Sequence, residues 1–117
     1  MMMIARTDCT NDAENGIVEV ERIRAKIRRG EFAVYTHAAV EAMKDGLTGD
    51  DILHVALNGK LIEDYPERNR CLLYATVPNG TPVHIVVDYA WEEEYQIVTV
   101  YIPDSAEWIN YQVRKRG

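Results

Sequence analysis

Cysteine is scarce in this chain. Its two cysteines, Cys9 and Cys71, build no disulfide framework, which fits a reducing cytoplasm. Histidine is scarce too. The three present, His37, His54 and His84, stand far apart, without Cys-x-x-Cys or His-Glu-x-x-His, so no metal or other cofactor is expected. The glycines form no phosphate-cradling loop, which argues against a nucleotide-binding enzyme. No catalytic-triad signature is visible. No apolar run approaches membrane-spanning length, so no membrane partner is expected. Met1–Ala5 is too short for a secretory leader and lacks its charged lead-in. Internal repeats and low-complexity segments are absent from the sequence.

What is present suits one compact unit. A chain of 117 residues that is 47% hydrophobic can bury a real core. Its 13 basic and 19 acidic residues leave a formal net charge of −6. That balance opposes nucleic-acid binding over the whole surface but leaves room for a local basic site. The polar segment 1–16 is expected to be disordered, and 17–117 to form a single domain.

The organising stretch is Arg70 to Pro103. Arg70–Val77 alternates, with Cys71, Leu73, Ala75 and Val77 on one face. Pro82–Tyr89 alternates as well, with Val83, Ile85 and Val87 on one face and His84, Val86 and Asp88 on the other. Between them, Pro78 cannot take the positive φ that a type I′ turn needs at its first central position. A three-residue loop, Pro78-Asn79-Gly80 with Gly80 left-handed, gives one continuous apolar face. It sets His84 opposite Tyr74 and Arg70 opposite Asp88. A third strand, Tyr95–Ile102, is expected to send Val98, Val100 and Ile102 to the core and Tyr95, Ile97, Thr99 and Tyr101 the other way. The second face then carries Arg70, Tyr74, His84, Asp88, Thr99 and Tyr101, an open platform.

Helices are expected ahead of this meander. In Ile17–Arg29, Val20, Ile23 and Ile27 form a stripe, and Gly30 ends it. The basic residues of this segment, Arg22 and Arg29 among them, read either as a solvated face or as a surface for an anionic ligand. Glu31–Tyr35 is a short strand. Thr36 is expected to cap a helix that begins at His37 and closes at Asp45-Gly46. Thr48-Gly49-Asp50-Asp51 is a capping box for a helix ending at Asn58-Gly59, with His54 exposed on it. Lys60–Tyr65 is a strand stopped by Pro66. Ser105–Val113 is read as a short helix docked through Trp108, followed by a basic tail, Arg114-Lys115-Arg116. The fold class is α+β: N-terminal helices packed on a mostly antiparallel sheet.

Four pieces come in a familiar order: Tyr35-Thr36-His37-Ala38; Gly46-Leu47-Thr48-x-x-Asp51-Ile52; Gly59-Lys60-Leu61-Ile62-Glu63-Asp64-Tyr65-Pro66; and Thr99-Val100-Tyr101-Ile102-Pro103-Asp104 followed by Trp108. With Cys71-Leu72-Leu73 and Pro82–Val87 between them, the chain resembles the bacterial domain-of-unknown-function 4258 family. The resemblance implies a RelE-like or barnase-like scaffold, a toxin-like role in a toxin–antitoxin system, RNA as the substrate and an antitoxin protein as the partner. The sequence departs from the family at Glu41 and Asp45, where arginines are usual.

Metal-independent RNA cleavage needs a base, an acid and cationic donors for the charged phosphorane. His37, His84, Arg70 and Tyr101 are the catalytic candidates. Tyr74, Thr99, Arg22 and Arg29 are the binding candidates. The bland reading pairs Arg70 with Asp88 and hydrogen-bonds His84 to Tyr74 or Thr99. A non-catalytic protein- or ligand-binding domain on the same scaffold is the alternative.

Overall fold

The computed structural model describes residues 20–115. Segment 1–16 and the start of the expected first helix lie outside the described residues. The elements are α1 (Val20–Arg28), β1 (Phe32–Val34), α2 (Thr36–Lys44), α3 (Gly49–Asn58), β2 (Lys60–Tyr65), a 3-10 turn (Pro66–Arg68), β3 (Arg70–Thr76), β4 (Pro82–Asp88), β5 (Tyr95–Tyr101), β6 (Trp108–Ile109) and β7 (Val113–Arg114). The main sheet runs β1-β5-β4-β3-β2. Only the β1–β5 pair is parallel. The protein is α+β, with three helices among the described residues on one face of a mainly antiparallel sheet. None of those helices is long and apolar enough to cross a membrane.

The central hairpin follows from its loop. Gly80 has φ +94°, and Val77 and Thr81 close the loop through a 2.9 Å backbone bond. The register is Tyr74 opposite His84 and Arg70 opposite Asp88. Cys71, Leu73, Val83, Ile85 and Val87 are fully buried on one face. They meet Ile23 and Ile27 of α1, Ala38 and Ala42 of α2, and Ile52, Val55 and Ala56 of α3. Burial pushes the Cys71 thiol up to about 12, with Asp64 adding to the rise, so this cysteine is a small hydrophobe and no nucleophile.

The caps explain where the helices stop. The Thr48 hydroxyl accepts from Asp51 N, and Thr48 N donates to the Asp51 carboxylate, a full capping box. Gly59 follows α3 because a Cβ there would stand 2.4 Å from the Val55 carbonyl oxygen. At α2 the expected cap moves by one residue. Tyr35 is the N-cap, without a side-chain bond, and Thr36 is already helical. His54 is half-buried rather than open, with the Asn58 amide donating to its carbonyl at 3.0 Å.

Two expectations fail in the last third. In β5, Val86 pairs with Thr99 but Val87 pairs with Ile97, so Val98 is an extra residue, a β-bulge. The bulge reverses the parity before it. Tyr95 and Ile97 join the core with Val100, whereas Ile102 is exposed. The C-terminal segment is no helix. Trp108–Ile109 pairs antiparallel with Val113–Arg114. The turn between them carries Asn110 and Tyr111 with φ of +52° and +63°, which a helix cannot hold. Trp108 is buried, as expected, but it lies on the second face of the sheet, over His84.

Candidate functional site

Parity and register set the second face in rows. Tyr74, His84 and Tyr101 form one row across β3, β4 and β5. Glu63, Leu72, Val86 and Thr99 form the next, and Tyr65, Arg70 and Asp88 the third. The C-terminal hairpin covers the first row. The lower rows remain open and hold a cleft of about 450 Å³. Leu72 and Val86 give it an apolar floor; Tyr65, Arg68, Arg70, Thr99, Tyr101 and Arg114 form its walls.

Three separate elements deliver those arginines: the 3-10 turn, β3 and β7. Pro66 starts the turn, and Asn69 closes it with φ +57°, which brings Arg68 back beside the sheet. Arg70 Nε lies 3.1 Å from Asp88 Oδ2, the cross-strand pair the register demands. Arg114 Nε lies 3.1 Å from Glu63 Oε2, and its guanidinium stacks 4.6 Å from the centre of the Trp108 ring. Tyr65 donates its hydroxyl to Glu63. Among the described residues, no ion pair occupies Arg68. Guanidinium forks around an apolar floor suit an anion with planar or sugar-like substituents.

His84 is no exposed acid–base group. It is fully buried. Its Nε2 donates to the Tyr111 carbonyl at 2.6 Å, and its Nδ1 accepts from the Tyr101 hydroxyl at 3.0 Å. The rings of Trp108, Tyr101 and Tyr74 stand edge-on to it at 4.5, 5.1 and 5.8 Å. Burial pulls its pKa below the ordinary imidazole value, and Arg114 lowers it further, against upward pulls from the Tyr111 carbonyl and Glu63. The platform expected to be open is therefore half covered. Burial also raises the Tyr101 pKa, so its hydroxyl stays protonated and donates.

Of the residues singled out in the sequence, Arg70, Thr99 and Tyr101 line the cleft, with His84 behind Tyr101. Tyr74 lies in the covered row, its hydroxyl 3.3 Å from Thr76 Oγ1. His37 is exposed at the start of α2, whose buried side packs on the opposite face of the sheet, so it does not join them. Arg22 lies on α1 and Arg29 just past its end; they bond Glu92 and Glu31 at 2.8 and 3.2 Å. Their helix is tied down by Lys26, which is buried, pairs with Glu31 at 3.2 Å and sits over the Tyr95 ring. Glu41 pairs with Lys44 on α2, and Asp45 ends that helix, both outside the cleft lining. Arg68, Arg114, Tyr65 and Glu63 escaped the sequence reading. Asn110, an Asn in a short loop between Trp108-Ile109 and Val113, is the one signal that points to a hairpin carrying Arg114 across the sheet.

Fold and cleft together define a small α+β domain with an arginine-rimmed cleft on the helix-free face of its sheet. The chain belongs to the DUF4258 family, a domain of unknown function, which matches residues 34–102. Neither the curated proteins nor the solved structures yield a match. The family region thus contains Tyr65, Arg68, Arg70, Thr99 and Tyr101, while Arg114 and Trp108 lie beyond it.

Proposed function

We propose that this protein is a small toxin-like domain that holds the backbone of single-stranded RNA in the cleft of Arg68, Arg70 and Arg114. The observation that carries the reading is the convergence of those three arginines on one cleft in a chain of net charge −6. An acidic protein repels RNA everywhere except where cations are gathered. Tyr65 and Tyr101 add aromatic faces for bases, and Thr99 adds a hydroxyl. The RelE-like scaffold implied by the resemblance fits a site on this face of the sheet.

Binding is better supported than histidine-driven cleavage, because both ring nitrogens of His84 are occupied beneath Trp108. One arrangement favours a cleaving version. The Glu63 carboxylate and Tyr65 hydroxyl stand at the rim beside Arg114, where a base and a charged donor would meet a ribose. In that version the 2′-oxygen, its proton taken by the carboxylate, attacks phosphorus. The bond to the 5′-oxygen breaks, and that oxygen takes a proton from solvent water, leaving a 2′,3′-cyclic phosphate and a 5′-hydroxyl.

One experiment tests both versions. Anisotropy of a short fluorescent oligouridylate, titrated at several salt concentrations, reads binding. A gel of the same mixture reads cleavage and its product ends, with and without chelator. Binding that weakens with salt and fails in Arg68→Ala and Arg114→Ala supports the cleft. Cyclic-phosphate products that persist in chelator support cleavage. Growth arrest on expression, relieved by a neighbouring gene product, supports the toxin–antitoxin setting. No binding at low salt, intact RNA and normal growth together overturn the reading.

A further inference from the structure

We propose that His84 is a positioning residue: a buried, pH-sensitive clasp that docks the C-terminal hairpin on the sheet and thereby sets Arg114 and Tyr101 in the cleft. The ligand half of this proposal rests on the RNA reading above; the hairpin half does not.

The geometry is a chain of contacts from one imidazole to two walls of the cleft. Nδ1 accepts from Tyr101, whose ring lines the cleft, and so fixes that hydroxyl. Nε2 donates to the carbonyl of Tyr111, at the tip of the hairpin. Tyr111 has φ +63°, a region that non-glycine residues rarely occupy, and this conformation aims its carbonyl at the ring. Trp108 covers the imidazole edge-on, and Arg114, its cross-strand partner in the hairpin, stacks against that indole. The remaining polar ties of the hairpin are exposed: Lys60 to the Gln112 side chain at 2.8 Å and Arg114 to Glu63. Exposed pairs contribute little. Among the hairpin's polar ties to the sheet, the bond from His84 to the Tyr111 carbonyl is the buried one, and it acts beside the burial of Trp108.

Such a clasp responds to protons. The docked ring is the neutral Nε2–H tautomer, donating once and accepting once. A second proton places an N–H at Nδ1 against the Tyr101 hydroxyl and a cation under the indole. The groups facing the ring are the Tyr74, Tyr101 and Trp108 rings, the Tyr111 carbonyl, and at longer range Glu63 and Arg114. Glu63 favours the added charge, but it is paired with Arg114, whose guanidinium opposes it, and burial outweighs both. Burial lowers the docked pKa. The undocked hairpin therefore binds more protons than the docked one once pH falls below the ordinary imidazole value of about 6.5. Docking is strongest above that pH and weakens as pH falls through it toward the lower, docked value.

The test uses the full chain with Trp91→Phe, which removes an exposed indole and leaves Trp108 as the sole fluorescent tryptophan. Emission of Trp108 and oligouridylate affinity are followed from about pH 8 to about pH 5, with far-UV circular dichroism as the check on the fold. The expected result is a red shift of Trp108 and an affinity loss of about tenfold in one shared pH step, with unchanged far-UV signal. His84→Gln, which keeps a donor for the Tyr111 carbonyl, should hold emission blue and affinity high and abolish the step. His84→Ala should give red-shifted emission at every pH. An emission maximum that stays blue through the pH range in the wild-type background overturns the clasp, and that measurement needs no histidine variant to fold. A His84→Gln protein that titrates like wild type also overturns it. If Trp108 shifts while affinity holds, the coupling to the cleft is wrong. If oligouridylate binds at no pH while Trp108 still shifts with the step removed by His84→Gln, the RNA reading fails and the clasp stands.

Discussion

The two faces of the sheet are built by the same strands and behave as different materials. On the helix-covered face, Cys71, Leu73, Ile85 and Val87 meet three helices in a cluster of almost wholly apolar side chains. On the other face, the same strands present Arg70, Asp88, His84, Thr99 and Tyr101, and the cover is a hairpin of two two-residue strands. The first face derives its free energy from apolar burial, which is non-directional and cooperative. The second relies on aimed hydrogen bonds around one imidazole and on ion pairs in partial solvent. The lesson is that fold stability and site geometry are separable here, although they share strands.

Substitutions on each face test that contrast. The largest effect is expected at Ile85, fully buried on the helix-covered face. Ile85→Ala should cost about 4 kcal/mol in urea unfolding, as large-to-small core changes do. Next comes Trp108→Ala, expected to cost about 3 kcal/mol, the lower end for an aromatic truncation because the hairpin lies outside the main core. A loss below about 1 kcal/mol would mean that the hairpin contributes nothing to the fold and that the two faces are fully independent.

Arg68→Ala should fall on the other side of the contrast. Stability should change by less than about 0.5 kcal/mol, because the side chain is exposed and away from the core. Oligouridylate affinity should fall about tenfold, with the slope against log salt reduced by about 0.7. Unchanged affinity would remove the turn from the site. The smallest effect is expected at Asp88. Asp88→Asn weakens the hold on Arg70 and should raise affinity about two- to threefold, the scale of a single partly exposed ion pair. Pairing Arg70→Ala with Asp88→Ala then separates roles. A purely structural pair predicts partial rescue of stability in a thermal melt, and a ligand-binding Arg70 predicts no rescue of affinity.

The legible parts of the molecule were those in which one residue type forces one geometry. Pro78 with Gly80 decided the loop, and the loop decided the parity of both strands and the pairing of Arg70 with Asp88. Thr48 with Asp51 decided a helix start. The bulge at Val98 carried no such mark. An extra valine among valines and isoleucines looks like strand continuation, so strict alternation sends Tyr95 and Ile97 to the wrong face. The hairpin was missed for a related reason. Tyr111 adopts a left-handed backbone that its residue type disfavours; the tight turn closed by Gln112 N on the Ile109 carbonyl requires it, and the bond from His84 to the Tyr111 carbonyl supports it. The cleft itself was half visible. Arg70, Thr99 and Tyr101 follow from strand parity, whereas Arg68 and Arg114 reach the site from a turn and from what read as a basic tail. Convergence from separate elements leaves no spacing to read.

The single parallel strand has a consequence for how the molecule is made. Phe32 of β1 pairs with Tyr95 of β5, 63 positions further along the chain. At about 5–20 residues per second, a ribosome adds those residues in about 3–13 seconds. Over that interval α2, α3 and β2 to β4 are added in turn, and the apolar stripes of the helices wait for the completed sheet that covers them. Ile23 and Ile27, and then Ile52 and Val55 once they are made, lack part of their cover until β5 is added. The nascent chain is most vulnerable to proteases and most in need of chaperones just before β5 is synthesised, and it passes out of that state when Tyr95 and Ile97 arrive.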